Sequence, residues 1–393
     1  MRLNYKPIGE IVRRVDERNS NNSTAVLVGL SIDKCFINSV ANTIGTDLSK
    51  YKIIRRCDFA VSLMQVSRDQ KIPVAMQDDY DVAIMSPAYS IFRVIDESVI
   101  IPEYLEMWFK RPEFDREASF IAVGGVRGSM PWEDFAKMKV PVPSYEKQKE
   151  IVESYRVISE RMELKKRIND NLAEQAVSYI QVAMNQDTSR GEPWETLTVQ
   201  DLVNRHYLEA PMDGNHGEIH PKSSDYVSSG VPFIMANNLT NGFVDYINCA
   251  FISESQARTL RKGFAKPRDV LLTHKATLGR TAIVTDEYET TILTPQVTYY
   301  RTIKYVTPEF LRYYFETPLF QSTLEAWAGA GSTRAYIGIT KQLELPICIP
   351  HQETMDAITK MIEIIEQVRY QNHKEMTKLI QMQETLLSRI SSH

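Results

Sequence analysis

Along the chain the spacing of apolar positions changes character three times. Residues 1–143 carry short β-branched and aromatic runs, such as "TAVLVGLSI" and "YSIFRVI", punctuated by Gly, Asn and Asp. That pattern predicts strands separated by turns. From Ser144 to about Met184 there is no Pro or Gly, and apolar residues recur at alternating steps of four and three. The stretch predicts one long amphipathic helix. Strand-like runs return over 187–350, with "TAIVT" and "QVTYYRTI", and a second Pro- and Gly-free stretch runs from His351 to about Ile390. Pro143 and Pro350 stand just ahead of the two helical stretches, and Glu146 and Glu353 fall in the first turn, where the helix dipole favours them. Four segments follow: 1–143, 144–186, 187–350 and 351–393.

The two halves repeat each other. "IPEYLEMWFKRPEF" from Ile101 returns as "TPEFLRYYFETPLF" from Thr307, 206 residues later. "IGEIV" from Ile8 resembles "VQDLV" from Val199, "CDFAVSLM" resembles "RDVLLTHK", and "IMSPAYSIFRV" resembles "ILTPQVTYYRT". The offset settles at 207, with Pro143 matching Pro350 and Ile151 matching Ile358. A period this long is that of a duplicated domain rather than a solenoid. The repeated phrase predicts one helix after its Pro, with Tyr104, Leu105, Trp108 and Phe109 at helical spacing as core residues.

The helical stretches share a register. The first seam visits Ile151, Tyr155, Ile158, Met162, Lys165, Asn169, Leu172, Ala176, Tyr179 and Ala183. The second visits Ile358, Ile362, Ile365, Arg369, Asn372, Met376, Leu379, Gln383, Leu386 and Ile390. Matching seams are best satisfied by packing on each other, and mid-helix polar members fix register at a cost in stability. The other arrangement lays each helix on its own domain.

Length and composition narrow the class. A chain of 393 residues predicts two to three domains. Apolar content of 43% and charged content of 24% are those of a soluble globular protein. No apolar run reaches the roughly 18 residues of a membrane helix, and "MRLNYKPIGEIVRR" has no signal-peptide core, so a cytoplasmic location is expected. Cys35, Cys57, Cys249 and Cys348 lie far apart with no Cys-x-x-Cys pair and read as reduced, mostly packed residues. The net charge of -4 is low for a lone nucleic-acid binder, so such a role requires locally clustered cations or a partner that supplies them.

Catalytic signatures are missing from the sequence. There is no G-x-x-x-x-G-K-[ST] loop, no G-x-S-x-G elbow, no H-E-x-x-H helix and no Asn/Asp-Pro-Pro-aromatic tetrapeptide. Two Gly-rich stretches, "AVGGVRGS" and "AGAGSTRA", occupy matching places and carry Arg127 and Arg334. Each reads as a loop offering a guanidinium to an anionic or guanine-bearing partner, or as an ordinary exposed turn. "DGNHGEIHP" places His216 and His220 four apart, a zinc spacing on a helix, but Gly214, Gly217 and Pro221 oppose a helix. A polar contact loop continuing to Lys222, or structural filler, is the better reading, and no metal site is expected. Between matching strand runs lie "SLMQVSRDQKI", with Gln65, Arg68 and Lys71, and "LLTHKATLGRT", with His274, Lys275 and Arg280. Such residues pair with phosphates and base edges; the alternative is a solvated hairpin tip.

A strand-rich domain, then "KVPVPSYEKQKEIVE" entering a long helix, with the whole plan repeated, resembles the DNA-specificity subunit of type I restriction–modification systems. "DGNHGEIHPKSSDYVSSGVPFIMANNL" and "GSTRAYIGITKQLELPICIP" look like that family's target-recognition domain and its exit, and the similarity covers essentially the entire chain. Glu146-Lys147-Gln148 and Gln352-Glu353-Thr354 depart from the family's acidic-Glu-Gln signature. The resemblance implies an α+β chain with two target-recognition domains joined by two long helices. Those helices would form an antiparallel intramolecular coiled coil in a pseudo-two-fold duplicated chain. It implies a subunit without catalysis or a cofactor of its own, reading a bipartite, asymmetric site on double-stranded DNA. Two modification subunits would methylate adenine with S-adenosylmethionine, restriction subunits would cut, and no membrane is involved. Half-sites one helical turn apart are separated by about 34 Å, and a 40-residue helix is about 60 Å long, so paired helices could act as a ruler. A fragment of a bifunctional restriction enzyme and a coiled-coil protein-interaction scaffold are the competing readings.

Overall fold

The computed structural model describes residues 4–20, 26–39, 46–123, 128–329 and 335–390. They form two compact units, residues 1–163 with 376–393 and residues 164–375.

The first unit is built on a four-stranded sheet. Its strands are β1 (Val12–Val15), β2 (Phe59–Val61), β3 (Val74–Met76) and β4 (Ser90–Val94), in the order β1-β4-β2-β3. β2 is buried on both faces, as its uninterrupted apolar run requires, and Phe59 stands opposite Phe92 and Met76. A one-turn helix α1 (Val66–Asp69) joins β2 to β3. The repeated phrase forms two helices, α2 (Pro102–Phe109) and α3 (Pro112–Ile121), where one was expected. The second Pro starts a new helix at its first turn, since its ring and missing N–H block a continuous one. Tyr104, Leu105, Trp108 and Phe109 are buried, and Phe109 packs 5.0 Å from Phe114 and edge-on to Phe59 at 5.7 Å. Strands Tyr5–Pro7 and Lys139–Pro141 pair to bring the ends of the globular part together. From there the long helix α4 (Tyr145–Ser189) starts. Gln148 ties its first turn to the unit, accepting from Ile101 N at 2.9 Å and donating to Val99 O at 2.9 Å.

The second unit repeats this wiring. Its sheet contains β5 (Met212–Asp213), β6 (Val270–Lys275), β7 (Thr277–Ile283) and β8 (Val297–Tyr300), in the order β5-β8-β6-β7. Helices α5 (Pro308–Phe315) and α6 (Pro318–Trp327) again begin on Pro, and Thr307 and Thr317 cap them by accepting from Phe310 N and Phe320 N. Strands Glu195–Thr198 and Pro346–Ile349 pair before the second long helix, α7 (Gln352–Arg389).

Within each unit segments of α4 and α7 touch, running antiparallel. In the second, Lys165 Nζ donates to Asn372 Oδ1 at 2.8 Å, and Asn372 Nδ2 donates to Asn169 Oδ1 at 2.8 Å. Asn169 Nδ2 donates to Arg369 O at 3.1 Å, and Thr354 Oγ1 donates to Asp187 Oδ2 at 2.9 Å. In the first, Gln383 Nε2 donates to Ser159 Oγ at 2.6 Å. The helices also lie on the globular parts. Ala176, Ile180, Ile358 and Ile362 join the core of the second unit, while Tyr155, Leu386 and Ile390 join that of the first. The two packing modes expected as alternatives therefore occur together. Among the described residues no helix is long and apolar enough to cross a membrane.

Candidate nucleic-acid interface

The connection from an inner strand to the adjoining edge strand of each sheet, β2 to β3 and β6 to β7, carries the expected basic residues. In the first unit Gln65 and Gln70 adopt left-handed backbone at either end of α1, with φ of 62° and 52°. This compact turn leaves Gln65, Arg68 and Lys71 exposed. Arg68 is paired with Asp69 at 2.8 Å and Lys71 with Asp33 at 3.3 Å. The chain leaving the first Gly-rich stretch returns to this connection: Met130 N donates to Leu63 O at 2.9 Å, and a Cβ on Gly128 would lie 2.5 Å from Ser67 Oγ.

In the second unit the connection is a tight hairpin, Lys275 opposite Thr277, with Ala276 at φ 65°. The chain leaving the second Gly-rich stretch packs on it in the same manner. Ile337 N donates to His274 O at 3.0 Å, and Ala276 N donates to Ala335 O at 3.1 Å. Arg127 and Arg334 themselves lie outside the described residues.

His274 departs from its expected exposed position. Its side chain shares the face of β6 that carries Val270 and Leu272 inward, and it is fully buried. Its Nδ1 lies 3.0 Å from Ile337 O, so this nitrogen carries the proton, and Nε2 has no partner among the described residues. Burial holds the imidazole pKa below its usual value and keeps the ring neutral. Lys275 is exposed, with its ammonium 5.7 Å from the Tyr336 ring centre.

The Asp213–Pro221 loop lies within electrostatic reach of His274 through Asp213 and His216. Asp213 is buried and accepts from Lys262 and, at 2.8 Å, from His216 Nε2. Burial pushes its carboxyl up, but these two partners outweigh it and hold the pKa below the usual range. His220 Nδ1 lies 3.1 Å from Asn215 O and its ring 5.5 Å from Phe233. Lys222 is exposed, and its backbone N–H donates to Asp225 Oδ2 at 2.7 Å. The loop contains only a single turn of 3-10 helix, Gly217–Ile219, so the two histidines do not share an α-helical face. Among the described residues no three or more His, Cys, Asp or Glu side chains are grouped to hold a metal.

Arg280 is exposed and lines a polar hollow of about 420 Å³ together with Thr240, Thr281 and Arg312. Behind it stands a charge cluster that local sequence does not announce. Glu366 Oε2 accepts from Tyr313 Oη at 2.6 Å, Arg369 Nη1 at 2.9 Å and Arg312 Nη1 at 3.1 Å. Arg312 and Arg369 are each 1% exposed. Burial alone would push the Glu366 carboxyl up, yet the two guanidiniums outweigh it and hold it below the usual glutamate pKa. Arg369 stood out as a polar member of the seam; Arg312, Glu316, Glu366 and Tyr336 carried no signal.

The two units define an α+β chain in which long helices carry two sheets of the same strand order, each with a polar connection at an equivalent place. No protein-family model matches the sequence, and no curated protein matches it. Among solved structures the chain has the fold of the type I restriction–modification system S subunit from M. genitalium, at 12% identity and a TM-score of 0.53, over 99% of this chain and 96% of that one. It is also similar to the HsdS subunit from Thermoanaerobacter tengcongensis, at 16% identity over 98% and 96% of the chains with a TM-score of 0.36. A further similar chain belongs to a structure of complex assembly and conformational transition of the type I R-M system, at 16% identity over 99% and 98% with a TM-score of 0.41. The type I S subunit resemblance read from the sequence is thus present in the fold along essentially the full length.

Proposed function

We propose that the chain is the non-catalytic DNA-specificity subunit of a type I restriction–modification complex. In this reading residues 1–143 and 187–350 are two target-recognition domains, each reading one half of a bipartite, asymmetric DNA site. Residues 144–186 and 351–393 form the antiparallel coiled coil that sets the spacing of the two readers in a duplicated chain. Two modification subunits bind it and supply the S-adenosylmethionine and the adenine methylation chemistry; restriction subunits join to cut, all in the cytoplasm. The observation that carries the proposal is the matching connection of each unit. A strand end bearing polar and basic residues is hydrogen-bonded by the chain leaving a Gly-rich stretch, Met130 to Leu63 in one and Ile337 to His274 in the other. The net charge of -4 fits a reader whose partners provide further phosphate contacts.

Mapping methylated adenines in DNA from cells with and without the gene tests this directly. The gene is expected to add methylation at one split sequence with a fixed spacer, and an unchanged methylation pattern would sink the proposal. At the level of residues, Lys275→Ala combined with Arg280→Ala is expected to weaken DNA binding by the assembled complex by about tenfold or more. The melting temperature should stay put, since both side chains are exposed. Unaltered DNA affinity would remove the hairpin from the interface.

A further inference from the structure

Resting on the DNA-reading function above, we propose that Arg280 reads a guanine in the half-site of the second unit, with Gln321 and Glu316 as its positioning residues. The pairing of β6 with β7 shifts after Leu272: Leu272 faces Thr281, but His274 faces Leu278. Gly279 and Arg280 together therefore oppose Thr273, and Gly279 has a φ of 77°. A two-against-one step that opens on a left-handed Gly is a β-bulge, a device that re-aims the side chain beside it.

This bulge is clamped from three directions. Arg280 N donates to Thr273 Oγ1 at 2.9 Å. Gln321 Nε2 donates to Gly279 O at 3.0 Å and to Phe315 O at 2.6 Å, fastening the bulge to the end of α5. Thr281 Oγ1 donates to Glu316 Oε1 at 2.5 Å, and the same oxygen accepts from buried Arg312 Nη2 at 2.9 Å. A Cβ on Gly279 would lie 2.1 Å from Gln321 Oε1, so Gln321 presses directly on the turn. The backbone is thus fixed on both sides of Arg280, while its guanidinium is exposed without an ion pair among the described residues.

A phosphate contact asks only for a cation on a mobile stem. An arginine carried on a fixed backbone instead offers a planar two-donor fork from a set position, and the matching acceptor pair in the major groove is O6 and N7 of guanine. The other candidate cations are built differently. Arg68 and Lys71 are tied to carboxylates, Lys275 lies against the Tyr336 ring, and the β2–β3 pairing of the first unit runs without a shift.

The test is adenine-methylation mapping in cells carrying the chain with its modification subunits. Arg280→Ala should loosen the choice at one G·C pair of one half-site by about tenfold or more and leave the other positions alone, and Arg280→Lys should not restore it. Gln321→Ala should loosen the same position less, and should add nothing when Arg280 is already Ala. Melting temperatures of the Arg280 variants are expected to match the parent, whereas Gln321→Ala, which removes two part-buried hydrogen bonds, should melt lower. Uniform weakening at every position would make Arg280 a phosphate contact and overturn the assignment. A Gln321→Ala effect that persists undiminished in the Arg280→Ala background would make Gln321 merely structural. A parent that methylates no specific sequence would instead sink the DNA-reading function itself.

Discussion

Glu366→Ala is expected to cost about 3–5 kcal/mol of stability, because it takes from buried Arg369 its carboxylate partner and from buried Arg312 one of two. Arg312 and Arg369 have almost no exposure, and the Glu366 carboxylate is the acceptor they share with Tyr313. Arg312 keeps the Glu316 carboxylate at 2.9 Å, whereas Arg369 is left with neutral acceptors such as the Asn169 carbonyl at 3.1 Å. Against a typical domain stability of about 5–15 kcal/mol, such a loss removes a large fraction of the total. Glu366→Gln retains an acceptor oxygen and should cost about 1–3 kcal/mol. Urea denaturation followed by circular dichroism checks both; equal, small effects would mean that the cluster is not what holds α7 to this unit. The pH dependence follows in sign. The folded carboxyl pKa lies below the unfolded value, so its contribution is complete above the ordinary glutamate range and is lost as pH falls through the depressed native value.

That cluster also marks where sequence reading reached its limit. The seam Ile358, Ile362, Ile365, Arg369, Asn372 was visible as spacing alone, and all five residues are buried. Asn169 and Asn372 were read as register-fixing polar residues, and they bond to one another. Glu366, one position beyond the seam, carried no signal, because its partner Arg312 lies 54 residues away on a different helix. The strict four-and-three rhythm itself drifted: Tyr179 is exposed and Ile180 is fully buried. An α-helix turns every 3.6 residues, so a seam counted at 3.5 loses phase along 45 residues of α4.

The same division runs through the candidate interface. That two halves place polar residues between equivalent strands could be read from the repeat, and the strand orders β1-β4-β2-β3 and β5-β8-β6-β7 agree with it. Which face each residue takes could not. His274 sits among basic neighbours in the sequence, yet strand alternation sends it inward beside Leu272. The bulge at Gly279 and Arg280 depends on Gln321 and Glu316, residues of helices some forty positions further on. The repeated Pro-Glu phrase correctly marked a core helix, but its second Pro was a helix start hidden in plain view.

Gly214→Ala should be the most damaging change at the interface, costing about 3 kcal/mol or more. Its φ is not left-handed; the constraint is space. A Cβ there would stand 1.9 Å from the Leu293 carbonyl oxygen and 2.5 Å from the Thr294 carbonyl carbon. Both are backbone atoms, and neither can swing aside as a side chain could. Relief requires β5 and the following loop to move away from strand Thr291–Leu293, which pulls Asp213 from Lys262 and His216 and displaces His220 and Lys222. Gly217 in the same loop is the internal control. It has open space around its Cβ position and a φ of 76°, so Ala there adds only left-handed backbone strain of about 1 kcal/mol. Thermal melting together with DNA binding by the assembled complex separates the two: Gly214→Ala should lose both stability and affinity, Gly217→Ala little of either. If Gly214→Ala melts with the parent, the loop is not pinned by this close approach and the positions of His216, His220 and Lys222 are set by other contacts.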